Sequence, residues 1–344
     1  MKYVHLDSVE PGQYLGRTIF ASNGAILLSE DVQLTVFMIN TLNRIGVTMV
    51  YIKDPSLEDI EIPEILSEET KRAVMQQMGQ TFASIRSGKE FSSRNMSISI
   101  NTLLDEVMKN RDVLVQLTDI RTKDNEMYVH STNVCMMAVL IGINMGFTTT
   151  QLKELAIGAL LHDVGKVELI YDDESPDPRK HHTWRGFELL KSKREFSLLI
   201  AHVAFQHHED LIGGGIPRGL TSEDIHIYAK ITTVANMYDN LLFDVSLGRR
   251  MLPHEACEHM MALAETKLDR DVLIHFLKIV SIYPTGASVR LSTRETGVVV
   301  GQHRGLPSRP IVRIVKQDAT DKELEIKEID LAKHTTVFIE QVLL

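Results

Sequence analysis

Apolar positions fall at helical spacing over residues 31–45 (DVQLTVFMINTLNRI), and Gly46 follows as a stop signal. Before them, Asn23-Gly24 between short apolar runs predicts a hairpin turn. After them, residues 48–52 read as a strand, so residues 1–54 make a small α+β module with no visible catalytic cluster. Residues 54–64 are acidic and carry Pro55 and Pro63, the signature of a linker. A helix is expected from Ser67 to about Gly88, capped by Ser67-Glu68-Glu69-Thr70, and a second over about 99–117. Residues 55–120 therefore read as linker and connecting helices, which either pack on the core or join two copies into a homodimer. From 121 to 280 the pattern is helical, and Leu152, Leu155, Ala156, Ala159 and Leu160 lead straight into His162. Beyond Tyr283-Pro284 it changes to short strand-like runs at 289–292, 297–301 and 311–315, so residues 281–344 read as a β-rich appendage. The fold class is mainly α: a helical core flanked by the two smaller parts.

Composition narrows the partners. The formal charge is −9, which removes the electrostatic case for gripping duplex nucleic acid. Cys135 and Cys257 are far apart and in no metal-type spacing, which points to a reduced, cytoplasmic setting. No signal-peptide core opens the chain, and no uncharged apolar run reaches membrane-spanning length, so no membrane span is expected.

The chemistry concentrates in one region. Seven of the 14 histidines fall between His130 and His208, so a metal site is the first thing to look for there. Glu126 and His130 lie four apart, on one face of a helix; alone they would read as a surface ion pair. His162-Asp163 ends a strongly apolar helix, where a carboxylate is costly unless a cation or hydrogen bonds satisfy it. Lys166 projects a cation into the same space, although a basic residue at a helix C-terminus is also favoured by the dipole. Of the adjacent His181 and His182, one can easily point inward. His207 and His208 close another helix and, about 100° apart, could serve two neighbouring ions. Glu126, His130, His162, Asp163, His182, His207 and His208 are too many ligands for one tetrahedral zinc. They suit two or three divalent ions, iron or manganese. Such a cluster generates a bridging hydroxide and clamps the oxygens of an in-line phosphoryl displacement, with Lys166 neutralising the developing charge.

The order Glu-x3-His, His-Asp-Val-Gly-Lys, His-x3-Gly, His-His-Glu and a glycine-rich turn resembles the HD-GYP domain, a branch of the HD metal-dependent phosphohydrolases, over about 121–280. The tail, with Tyr283-Pro284-x-Gly286 and Gly297-Val298-Val299-Val300, resembles tails that follow this domain. The resemblance implies an all-α core that hydrolyses cyclic di-GMP to linear pGpG or GMP, with a catalytically inactive sensor or a module docking a signalling protein as the alternative. It carries metal-ligand roles to the seven residues above and to Asn236, a bridging role to Asp163, and phosphate contact to Lys166. Gly215, Arg249 and Arg250 are the further candidates for substrate binding. Three features depart from the family pattern. Gly215-Ile216-Pro217 replaces Gly-Tyr-Pro, with Ile212 where an aspartate is expected. Asn236 replaces the last aspartate ligand, and Val245 and Gly248 replace downstream basic residues, with Arg249 and Arg250 nearby.

Overall fold

The computed structural model describes residues 1–344 except 22, 61, 118, 168–171, 244–249, 318–323 and 344. Near the N-terminus, β1 (Lys2–His5) pairs antiparallel with β4 (Met49–Ile52), and β2 (Ile19–Phe20) with β3 (Ile26–Leu28). Gly24, at φ +75°, makes the turn of the second pair, where Asn23 Oδ1 accepts from Ala25 N at 2.9 Å. Helix α1 spans only Val36–Arg44 because the Thr35 side chain caps it by accepting from Met38 N; residues 31–34 are not helical, contrary to the periodicity of 31–45.

Helix α2 (Glu68–Arg86) starts at the Ser67 cap, as its sequence predicts. Helix α3 (Ser93–Lys109) begins and ends earlier than the expected 99–117. The Ser92 hydroxyl caps its start, and past Asn110 the backbone leaves the helix, Val115 N donating to Ile279 O at 2.7 Å. Neither helix stands apart. Met78, Phe82, Met96 and Ile100 are sealed into the same apolar core as the helices that follow.

Helix α4 (Glu126–Asn144) is the centre of that core, and every residue from Val129 to Gly142 is buried. A helix buried all round needs no polar face, which is why it lacks an amphipathic stripe. It is long and apolar enough to cross a membrane by length and composition, but 78% of its apolar window is buried inside the molecule. Helix α5 (Thr149–Leu160) opens on a Thr148/Gln151 capping box and lies along α4. Helices α6 (His182–Lys191), α7 (Leu198–Gln206) and α8 (Ile227–Phe243) complete the bundle, followed by α9 (Pro253–Ala262) and α10 (Arg270–Leu277). The approach of α5 to α7 depends on Gly158, where a Cβ would come within 2.7 Å of Val203 Cγ2.

The C-terminal sheet is antiparallel in the order β8-β7-β6-β5-β9, from β5 (Ser288–Leu291), β6 (Thr296–Gly301), β7 (Ile311–Gln317), β8 (Leu324–Asp330) and β9 (Ile339–Leu343). It is tied to the rest of the chain. Tyr3 N donates to Gly286 O at 3.2 Å, and Arg313 forks onto the two Asp59 oxygens at 2.6 and 2.7 Å. Cys135 and Cys257 are buried free thiols.

Candidate metal centre

Four buried histidines share one geometry. His130, on the second turn of α4, places Nδ1 2.6 Å from Asp239 Oδ2. His162, in the turn after α5, places Nδ1 2.7 Å from Ala159 O. His182, the first residue of α6, places Nδ1 2.8 Å from Asp173 Oδ2, and His207, just past α7, places Nδ1 2.9 Å from Ala204 O. Every one of these partners is an acceptor, so Nδ1 carries the proton and Nε2 of the neutral ring is left as a lone pair. The four Nε2 atoms turn inward as two pairs, His130–His162 at 3.2 Å and His182–His207 at 3.4 Å.

Asp163 stands between the pairs. Its Oδ2 lies 3.8 Å from His130 Nε2 and 3.6 Å from His162 Nε2. Its Oδ1 lies 3.3 Å from His182 Nε2 and 3.4 Å from His207 Nε2. Ligand atoms within 4.8 Å of one another accordingly form two groupings that share this carboxylate: His130, His162 and Asp163, and Asp163, His182, His207 and His208.

Divalent cations fit these residues. Asp163 Oδ1 and His208 Nε2 are buried with no hydrogen-bond partner among the described residues, and such orphans normally carry a cost of about 1–3 kcal/mol each. Neutral imidazoles facing each other through their lone pairs gain nothing without a cation between them. Burial holds His162, His207 and His208 below the ordinary imidazole range, which keeps them in the ligand form. Burial alone would raise the Asp163 carboxyl; His162, the Lys166 ammonium and the neighbouring imidazoles of His182 and His207 outweigh it and hold it well down.

Close packing sets this geometry. A Cβ on Gly165 would lie 2.0 Å from His182 O and 2.7 Å from Gly186 N. Gly165 thus serves close approach of the turn Val164–Val167 to the start of α6, bringing Asp163 to His182. His207 and His208 lie side by side. Helix α7 ends at Gln206, the two rings lie 4.3 Å apart, and both join one grouping.

Among the described residues, the other site candidates join neither grouping. Glu126 is exposed at the first turn of α4 and joins neither grouping. Asn236 is buried on α8, and its Oδ1 accepts from Asn240 Nδ2 at 3.0 Å; the acid that α8 gives to the centre is Asp239, one turn later. Lys166 Nζ sits 2.7 Å from Asp163 Oδ2 with its side chain 35% exposed, at the mouth of the centre. Gly215 has a packing reason, since a Cβ there would come within 2.3 Å of Asp210 N. The loop it belongs to folds around Glu209, whose two oxygens accept from Arg218 N and Leu220 N at 2.9 and 2.8 Å. Ile212 and Ile216 are exposed on that loop. Arg250 hydrogen-bonds Thr48 of the N-terminal module, while Val245, Gly248 and Arg249 lie outside the described residues. Trp184 packs edge-on against Phe205, 5.1 Å between centroids.

Sequence reasoning passed over Asp239, Asp173 and Arg121. Arg121 pairs with Asp239, lies over the Phe243 ring at 3.7 Å, and with His130 brings the Asp239 carboxyl to about 2 against the raising effect of burial. The one available signal was Asp239 itself, a carboxylate three residues after Asn236 on an apolar helix.

Comparison with known proteins covers the same stretch of chain. A family model described as HD domain matches residues 115–272, which contain the whole centre. The helical core resembles an HD domain over this stretch. The HD-domain match fits divalent-metal binding, and a second family model, a KOW domain associated with HD domain, matches residues 288–344. The chain is 27% identical over 285 residues to a cyclic di-GMP phosphodiesterase of Pseudomonas aeruginosa, covering 80% of this chain and 68% of that protein. It is 25% identical to 3'3'-cGAMP-specific phosphodiesterase 2 of Vibrio cholerae, over 54% of this chain and 38% of that one. Two further relatives, both named cyclic di-GMP phosphodiesterases, are spanned over only 59% and 48% of their length. Among solved structures, an HDG"Y"P protein of Bdellovibrio bacteriovorus matches with a TM-score of 0.48 and 16% identity, covering 80% of this chain and 97% of that one.

Proposed function

We propose that this HD domain is a metal-dependent phosphodiesterase that opens cyclic di-GMP to linear pGpG and, in a second cut, to GMP. The observation that carries the reading is Asp163, with one oxygen toward His130 and His162 and the other toward His182 and His207. Those four histidines and Asp163 would hold two ions, iron or manganese, with His208 completing the second set. Bound ions would activate water and polarise the phosphate oxygens of an in-line displacement. The chain's own residues do the rest. Asp239, Asp173 and two backbone carbonyls fix the imidazole tautomers, and the buried walls exclude bulk water. Lys166 exchanges its contact with Asp163 for a phosphate oxygen of the substrate, where its charge offsets the charge that develops in the transition state. The printed activities of the relatives point to the same substrate class.

The deciding experiment incubates purified protein, loaded with Mn(II) or with Fe(II) under anaerobic conditions, with cyclic di-GMP and separately with 3'3'-cGAMP. Linear dinucleotide from the first is expected. A fully loaded centre that turns over neither substrate sinks the enzyme reading. Asn236 favours a second reading, a cyclic-dinucleotide sensor without turnover, because its neutral amide is already engaged by Asn240. In that case binding persists without product, and Asn236→Asp raises turnover.

A further inference from the structure

A cavity of about 410 Å³ lies where the N-terminal module, the end of α8 and the C-terminal sheet meet. Tyr3, Thr48, Arg121, Phe243, Arg250 and Val342 are on its wall, and no member of the metal centre is. Most of the lining is apolar, and against it stand two guanidiniums, Arg121 and Arg250. The carboxylate on the wall, Asp119, is held by Lys71 at 2.8 Å. Arg121 Nε is buried with no hydrogen-bond partner among the described residues. A buried donor of that kind calls for an acceptor. Burial also raises the Tyr3 phenol to about 12, so it stays a hydroxyl that can donate.

We propose that this cavity binds a small organic anion with an apolar, ring-sized body, its charged group between Arg121 and Arg250. Apolar walls with a few convergent polar groups are the usual makeup of a small-molecule site. The site sits behind the centre, on the far side of Asp239. Arg121 is shared, because it also holds the Asp239 carboxylate that orients His130. An anion that draws on Arg121 therefore competes with Asp239, and occupancy of the cavity weakens metal binding at the His130 half, with the reciprocal effect required by linkage. This coupling rests on the metal reading; the binding itself does not.

The test titrates the full chain calorimetrically with 1-naphthalenesulfonate, and with uncharged 1-naphthol as the control. The sulfonate binds with one-to-one stoichiometry and at least tenfold tighter than the naphthol. Arg250→Met weakens the sulfonate at least tenfold while leaving naphthol unchanged, and Met251→Trp, which keeps both arginines and fills the space, weakens both. No binding, equal affinity for the two probes, or an Arg250→Met variant that is folded by circular dichroism and binds normally overturns the site. Saturating sulfonate also lowers Mn(II) affinity at least twofold in a separate titration. Unchanged Mn(II) affinity with the sulfonate bound overturns the coupling and leaves the function proposed for the centre intact.

Discussion

His130 and His182 do the same work in opposite halves of the centre, and each donates an Nδ1 hydrogen bond to a carboxylate. The Asp239 side chain behind His130 is 0% exposed and is itself clamped by Arg121; the Asp173 side chain behind His182 is 34% exposed. One half is thus braced by a chain of buried charges, the other by a single carboxylate within reach of water. A buried charge pair loses heavily when one partner is removed, because the remaining charge is left uncompensated. A water-exposed carboxylate is more easily replaced by solvent. The half built on Asp239 should be the more rigid and the less forgiving of change.

The most severe test removes what the halves share. Asp163→Ala should abolish turnover by on the order of 10³-fold or more and lower bound metal, read by elemental analysis, in both halves together. If one half keeps its full metal, Asp163 is not a bridge. Next in size is Gly165→Ala, which sets a methyl against His182 O and should destabilise the fold by up to about 3 kcal/mol in denaturant titrations. Its metal loss should fall on the His182 half first, the half whose spacing the glycine controls.

The direct comparison is Asp239→Asn against Asp173→Asn. Loss of a carboxylate behind a ligating histidine costs roughly 10–100-fold in metal affinity or activity. Asp239→Asn should fall near the top of that range and Asp173→Asn near the bottom, and equal losses would erase the distinction. The smallest effect is in acid. Asp239 has a folded value of about 2, depressed from the model-peptide value of 3.8. A depressed carboxyl adds stability that is complete above the unfolded value and vanishes as pH falls through the folded one. In metal-free protein the stability gap between wild type and Asp239→Asn should therefore shrink between about pH 4 and 2, by on the order of 2 kcal/mol. A gap that stays constant with pH would mean that Asp239 carries no such charge.

Much of this was legible along the chain. Helical periodicity located the core helices, Ser67 marked the start of α2, and His130, His162, Asp163, His182, His207 and His208 could all be named as ligand candidates. Other parts were not legible, for physical reasons. The α3 boundaries were set by the Ser92 cap and by the pairing of Val115 with the chain near Val280, a contact across nearly half the sequence. Strands β8 and β9 owe their place to partners in β7 and β5. Glu126 shares a helical face with His130, but the first turn of α4 lies at the surface while the second lies in the core.

By itself, the sequence determined where the helical core lies and which side chains carry metal-binding chemistry, because both follow from residue type and from spacing within a few turns. Only the tertiary structure decided how those ligands divide. It placed Asp163 with one oxygen toward each histidine pair and ended α7 so that His207 and His208 join one ligand grouping. It also brought Asp239, Asp173 and Arg121 in behind the imidazoles. Those are contacts between segments remote in the chain, and their energies depend on burial and on distances that no local pattern encodes.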